Sequence, residues 1–148
     1  MLVETLKSLF NRDLNKLKIE IESYQNENQL WAIDKNISNS GGNLCLHLIG
    51  NINTYIGAEI GKTGYVRNRP LEFSLKDIPK SELIGKIEET IIVVNNTLDL
   101  LSEEDLNAIY PQIVFEKKMT TGFFFVHLST HLAYHLGQIN YHRRLLDL

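Results

Sequence analysis

The sequence predicts an all-α protein, a four-helix bundle. Two observations carry that prediction. Four long stretches place apolar residues at a spacing near 3.6, with polar residues filling the gaps. The segments between them are rich in Asn, Ser, Gly and Pro and carry few strand signals.

The first stretch runs through Leu2, Leu6, Leu9, Phe10, Leu14, Leu17, Ile21 and Tyr24 and is expected to end near Asn26 to Asn28. Leu30 to Ile33 and the Asn/Ser/Gly run up to Gly42 read as a turn-rich connection. A second helix is expected from Gly42 or Asn43 to about Gly61, with Gly61 and Gly64 as stops. Residues 62–80 read as a long loop holding Arg67, Arg69, Pro70, Glu72 and Phe73. The third helix carries Leu83, Ile87, Ile91, Val94, Leu98 and Leu101 on one face, with Ser81 as candidate N-cap. Residues 102–111 read as a short helical turn and loop. The fourth helix is expected over about Thr120 to Leu146. Ile91–Val94 and Phe123–Val126 are β-prone, but each lies inside a longer helical period and is read as helix.

Composition narrows the function. A chain of 148 residues is most simply one domain, 1–148, able to bury its own core. A net charge of −3 gives no footprint for nucleic acid. No apolar run approaches the ~20 residues that span a bilayer, and the N-terminus lacks the apolar core of a signal peptide. The single cysteine, Cys45, excludes an internal disulfide and fits a reducing compartment. The expectation is a cytoplasmic protein with a small-molecule substrate, and with neither nucleic acid nor membrane as partner.

The chemistry is concentrated in histidine. Four of the five histidines, His127, His131, His135 and His142, fall in the last helical segment. His131 and His135 are four residues apart, so on a helix they stack on one face and both rings can reach one ion. His47 lies in the second segment, Leu44-Cys45-Leu46-His47-Leu48-Ile49. Three neutral nitrogens with an open position make a reactive metal site rather than a purely structural one. Single helical histidines are more often surface or satisfied core groups, and the clustering is what argues for a metal.

Helix geometry leaves a choice. Around His131, His127 and His135 lie about 40° to either side, with Gln138 and His142 close to the same face. His135 and His142 are about 10 Å apart along the axis and cannot share an ion. The pairs His131/His135 and His127/His131 both can. Two known patterns are excluded. The chain lacks the Glu of a zinc-protease HExxH helix and has no Glu followed three residues later by His, as ferritin-like di-iron bundles require. Cys45 points about 200° away from His47 on a helix and reads as a small buried residue.

The segment around His47, together with His131-x-x-x-His135-x-Gly137-Gln138, resembles the DinB superfamily of four-helix bundles. That superfamily includes the YfiT-like proteins and the bacillithiol and mycothiol S-transferases. Its last-helix signature has His and Arg where this chain has Tyr134 and Leu136. Asn43 to Asn51 and Arg67 to Phe73 further resemble an uncharacterised DinB-like subgroup. The resemblance implies a DinB/YfiT-like metalloenzyme fold, the ligand set His47, His131 and His135, and a homodimer.

Three neutral imidazoles leave a divalent ion its full charge, so an anionic fourth ligand is favoured. Zinc is the first expectation, with Ni, Fe or Mn as alternatives. Zinc-type ions deprotonate a bound thiol or water. The expected activity is transfer of a low-molecular-weight thiol to an electrophile, or hydrolysis of a small substrate. The alternative is a non-catalytic metal-binding or stress-related bundle acting through dimerisation. Gln138 is read as orienting a bound ligand or bonding a neighbouring helix, Asn51 as lining the cleft or capping a contact, and Tyr134 as packed. Arg67, Arg69 and Glu72 are expected to tie the long loop to a helix rather than bind substrate.

Overall fold

The computed structural model describes residues 1–148 and is helical throughout, without a strand. In chain order the helices are α1 (Leu2–Ser23), α2 (Gly41–Ile52), α3 (Arg69–Ser74), α4 (Lys80–Asp99), α5 (Glu103–Asn107) and α6 (Thr121–Leu146). The long helices α1, α2, α4 and α6 make the bundle. α1 packs on α4 and α6, and α2 packs on the same two helices. A single cluster of 28 buried apolar residues fills the space between them. The β-prone runs Ile91–Val94 and Phe123–Val126 are both helical.

α1 buries Leu6, Phe10, Leu14, Leu17 and Ile21, the stripe its period predicts. It stops at Ser23, earlier than the sequence suggests, because Tyr24 turns into an extended conformation. The fully buried Tyr24 hydroxyl lies 2.6 Å from His142 Nδ1, and this tertiary contact outweighs continued helix. The following connection contains a 3₁₀ turn, Glu27–Trp31, capped by the Asn26 side chain.

Ser40 caps α2, its hydroxyl accepting from the Asn43 amide at 3.1 Å. Every residue of α2 is buried, so this helix is covered on all sides rather than on one stripe. It passes without interruption into a π-helical turn, Asn53–Ala58. There the Glu59 amide bonds the Thr54 carbonyl at 3.1 Å and the Gly61 amide bonds Ile56 at 2.9 Å, each five residues back. The helical path therefore does end near Gly61, although in a wider form than the sequence period indicates.

The segment read as a loop over 62–80 contains α3. Asn68 caps it, its side chain accepting from the Leu71 amide, and Pro70 occupies its first turn, where a missing N–H costs nothing. Six residues are too few for a helical period to show in sequence. α4 begins one residue before Ser81, with Pro79 at the N-cap position, so Ser81 is not the cap. α5 carries a capping box between Ser102 and Asp105. Thr120 caps α6 through the Phe123 amide. The apolar residues of α6 divide by direction: Leu128, Leu132 and Ile139 are core residues, whereas Ala133 is exposed and Leu136 half-buried.

His142 belongs to the fold rather than to the histidine cluster. Its Nε2 donates to the Ala32 carbonyl at 2.9 Å, which leaves Nδ1 to accept from the Tyr24 hydroxyl. Burial lowers its pKa below the ordinary 6.5, with the Ala32 hydrogen bond acting in the opposite direction. As pH falls, the unfolded chain takes up this proton first. The contribution of His142 to stability is therefore full above about 6.5 and is lost as pH drops toward the lowered folded value. The melting temperature of His142→Gln should lie below that of the wild type at pH 7, and the gap should narrow by pH 5. A gap independent of pH would contradict this role.

Candidate metal centre

The site is assembled by three helices. α2 supplies His47 from the buried centre of the bundle, and α6 supplies His131 and His135 one turn apart. Their Nε2 atoms converge: His131 to His135 is 3.1 Å and His131 to His47 is 3.3 Å. One ring nitrogen from each of the three lies within 4.8 Å of the others. Three nitrogens at about 2.05 Å from a tetrahedral zinc ion stand about 3.3 Å from one another, so the spacing fits such an ion.

The opposite edges of two rings are fixed by acceptors. His47 Nδ1 lies 3.0 Å from Glu72 Oε1, and His135 Nδ1 lies 2.7 Å from Gln138 Oε1. A carboxylate and an amide oxygen only accept, so both rings carry the proton on Nδ1 and present the Nε2 lone pair to the centre. Two such lone pairs, converging with His131 Nε2 on one small volume, suit a cation. His131 Nδ1 is buried without a partner. Burial, with the neighbouring His135, His47, His127 and Arg67, lowers the pKa of His131 to about 4, which keeps it an uncharged donor at neutral pH.

Glu72 on α3 is the element that ties the site to the fold. It is 6% exposed. Arg67 grips it with two hydrogen bonds, Nε to Oε2 at 2.8 Å and Nη2 to Oε1 at 3.0 Å. Burial would raise the Glu72 pKa, but the hydrogen bonds from His47 and Arg67 and the charge of Arg67 outweigh it and hold the carboxyl below its ordinary range. The Arg67 guanidinium also lies over the Tyr55 ring, 5.9 Å from its centroid. Gly50, one turn after His47, makes room for the carboxylate, since a Cβ there would collide with it. Asn43 anchors the end of α3, donating to the Glu72 and Leu75 carbonyls at 2.9 Å each. Phe73 packs on His47 with ring centroids 4.9 Å apart.

The remaining sequence candidates take other places. His127 is outside the cluster and packs edge-on against Phe115, at 4.7 Å between centroids. Geometry thus selects the pair His131/His135 over His127/His131. Gln138 bonds His135 rather than a neighbouring helix. Arg67 and Glu72 do tie the long loop to a helix, as expected, and the tie point is His47 itself; Arg69 lies over Phe73. Tyr134, expected to pack, is 65% exposed. Asn51 is buried and its Oδ1 has no partner. Cys45 is fully buried, its thiol pushed up to about 12 by burial, and is no ligand. The ring-orienting roles of Glu72 and Gln138 were not assigned from sequence. Two signals point to them: the i,i+3 spacing of His135 and Gln138, and a glycine one turn after His47.

Comparison with protein families decides the relationship. A family described as a protein of unknown function, DUF1572, matches residues 1–147. The chain belongs to the DUF1572 family. No curated protein matches it.

In this DUF1572 protein, elemental analysis of material purified without a nickel column should find about one divalent ion per chain. His47→Ala, His131→Ala and His135→Ala should each remove most of it, while His127→Ala and His142→Ala should retain it. Loss of metal from His127→Ala as complete as from His135→Ala would place the site one turn away. Glu72→Gln keeps the shape but loses the charged acceptor, and chelator competition should report a metal affinity lower by about 10- to 100-fold.

Proposed function

We propose that this protein is a metal-dependent enzyme of the DinB superfamily that transfers a low-molecular-weight thiol to a small electrophile. Hydrolysis of a small substrate is the neighbouring chemistry for the same site. The observation that carries the reading is the convergence of three Nε2 atoms, two of them on rings oriented by Glu72 and Gln138, beside a cleft open to solvent. A non-catalytic metal site would more simply close its coordination with a fourth protein ligand, and Cys45, the one thiol of the chain, is buried elsewhere.

In this reading His47, His131 and His135 hold the ion, with zinc the first choice for three imidazoles. Such an ion lowers the pKa of a thiol or water that it binds and so supplies a nucleophile at neutral pH. The protein residues set the conditions for that chemistry. Glu72 and Gln138 lock the tautomers and ring directions of two ligands. Arg67 balances the charge of Glu72 and holds the carboxylate in place against His47. Burial of His131 keeps that ring from competing for protons. In the transfer itself the sulfur forms a bond to the electrophilic carbon, the leaving group departs with its bonding pair, and the thiol proton passes to solvent.

We also propose a cytoplasmic homodimer. Phe123 and Val126 are exposed on α6, and the small residues Ala133 and Gly137 are exposed further along the same helix, which supports pairing of two copies there.

Cobalt-substituted protein tests the function. Adding bacillithiol at neutral pH should produce a sulfur-to-cobalt absorption band, and an added electrophile should be consumed only by the metal-loaded form. An unchanged spectrum, with no turnover, would overturn thiol transfer.

A further inference from the structure

The histidine cluster does not stand at a bare surface. A cavity of about 640 Å³ begins at His135 and Gln138 and runs along α6 to Leu145 and Leu146. That volume falls within the range of small-molecule sites. Ten residues of helix separate His135 from Leu145, so the groove is about 15 Å long. Its far wall is the segment Asp34–Asn39, and Leu44 of α2 lies beneath.

We propose that this groove binds the body of the substrate, and that the substrate is an elongated small molecule with a metal-binding head and an apolar or aromatic tail. The inference rests on the metal reading above and adds the class of molecule. The lining supports that class. Ile37, Tyr141 and Leu145 belong to the lining and are 42%, 63% and 66% exposed, so the groove offers large side chains with apolar surface in water. A tail laid over them would remove that surface from water. Charge argues in the same direction. Lys35 is the only lysine or arginine in the lining, and Asp34 beside it offsets its charge. No cluster of cations is present to hold a phosphate-rich or polycarboxylate ligand.

The wall is also built to stay in place. Asp34 Oδ1 accepts from the Lys35 amide at 2.8 Å, and the Ile37 amide returns to the Asp34 carbonyl at 3.3 Å. His142, buried at the base of the groove, holds Ala32 at the start of this segment. The end of the groove nearest the cluster is formed by the two groups that also fix the centre, His135 and its partner Gln138. His135 belongs both to the cluster and to the groove lining, so a head on the ion and a tail on Tyr141 and Leu145 would both adjoin α6.

Alkyl hydroxamates of increasing length probe this directly, because the head binds metal and only the tail varies. With zinc-loaded protein, calorimetry should give weak binding for acetohydroxamate. Affinity should then rise up to about fourfold per methylene until the groove is filled. Tyr141→Ser and Leu145→Asp, both at exposed positions, should flatten the length dependence and leave acetohydroxamate affinity within about twofold. Equal affinity across the wild-type series, or an undiminished length dependence in both variants, would overturn the groove as the tail site. If Leu145→Asp turns a dimer into a monomer while the length dependence persists, the groove is a contact between copies and the inference fails. Zinc-free protein that binds acetohydroxamate as tightly as the zinc-loaded form would instead overturn the metal reading, and this inference with it.

Discussion

A carboxylate held between an arginine and an imidazole is the interaction on which the rest of this structure depends. Glu72 is too buried to stay ionised without partners, and an unpaired charge at that depth would cost several kcal/mol. Arg67 answers with a two-pronged grip and His47 with its Nδ1 proton. The same carboxylate thereby fixes three things. It pins the short helix α3 over α2, it sets the tautomer of His47, and it makes Gly50 necessary, since any side chain there would occupy its position. Breaking one partner leaves a buried charge exposed to its own desolvation, so the local fold and the direction of His47 change together.

The bundle supplies the complementary half. α2 is buried on every side, so His47 cannot be a surface accident and its polar edges must be satisfied from within. α6 presents two faces. Leu128, Leu132 and Ile139 fasten it to the core, and the adjoining edge lifts His131 and His135 toward His47. One turn of helix separates those two rings, so their spacing is a property of the α-helix itself and needs little else to maintain it. Gln138, one turn further, orients the outer ring. The site thus rests on rigid elements on both sides, the arrangement that preorganised metal chemistry requires.

Much of this was legible in the sequence, for physical reasons that can be named. The long helices announce themselves by period, and the clustering of His131 and His135 on one face follows from spacing alone. What sequence could not choose was the partner on either side of His131, because a helix places His127 as favourably as His135. The choice depends on where α2 lies and on Phe115 packing against His127. α3 was missed because its six residues are stabilised by Asn43 and by the Glu72 pairing rather than by a helical period. The early end of α1 was missed for the same kind of reason, a buried contact between Tyr24 and His142 that links residues far apart in the chain. Tyr134 lies among Leu132, Ala133 and Leu136, which suggests packing, but its own direction on α6 faces solvent.

The central claim is that three imidazoles and no other protein group hold the ion, leaving one position for an incoming molecule. X-ray absorption at the zinc edge of the loaded protein measures this most directly. The account predicts a first shell fitted by three nitrogen scatterers at about 2.0 Å with imidazole outer-shell features, plus one light ligand that is replaced by sulfur at about 2.3 Å when a thiol is added. A sulfur scatterer before any thiol is added, or a shell completed by a fourth imidazole and unchanged by thiol, would contradict it.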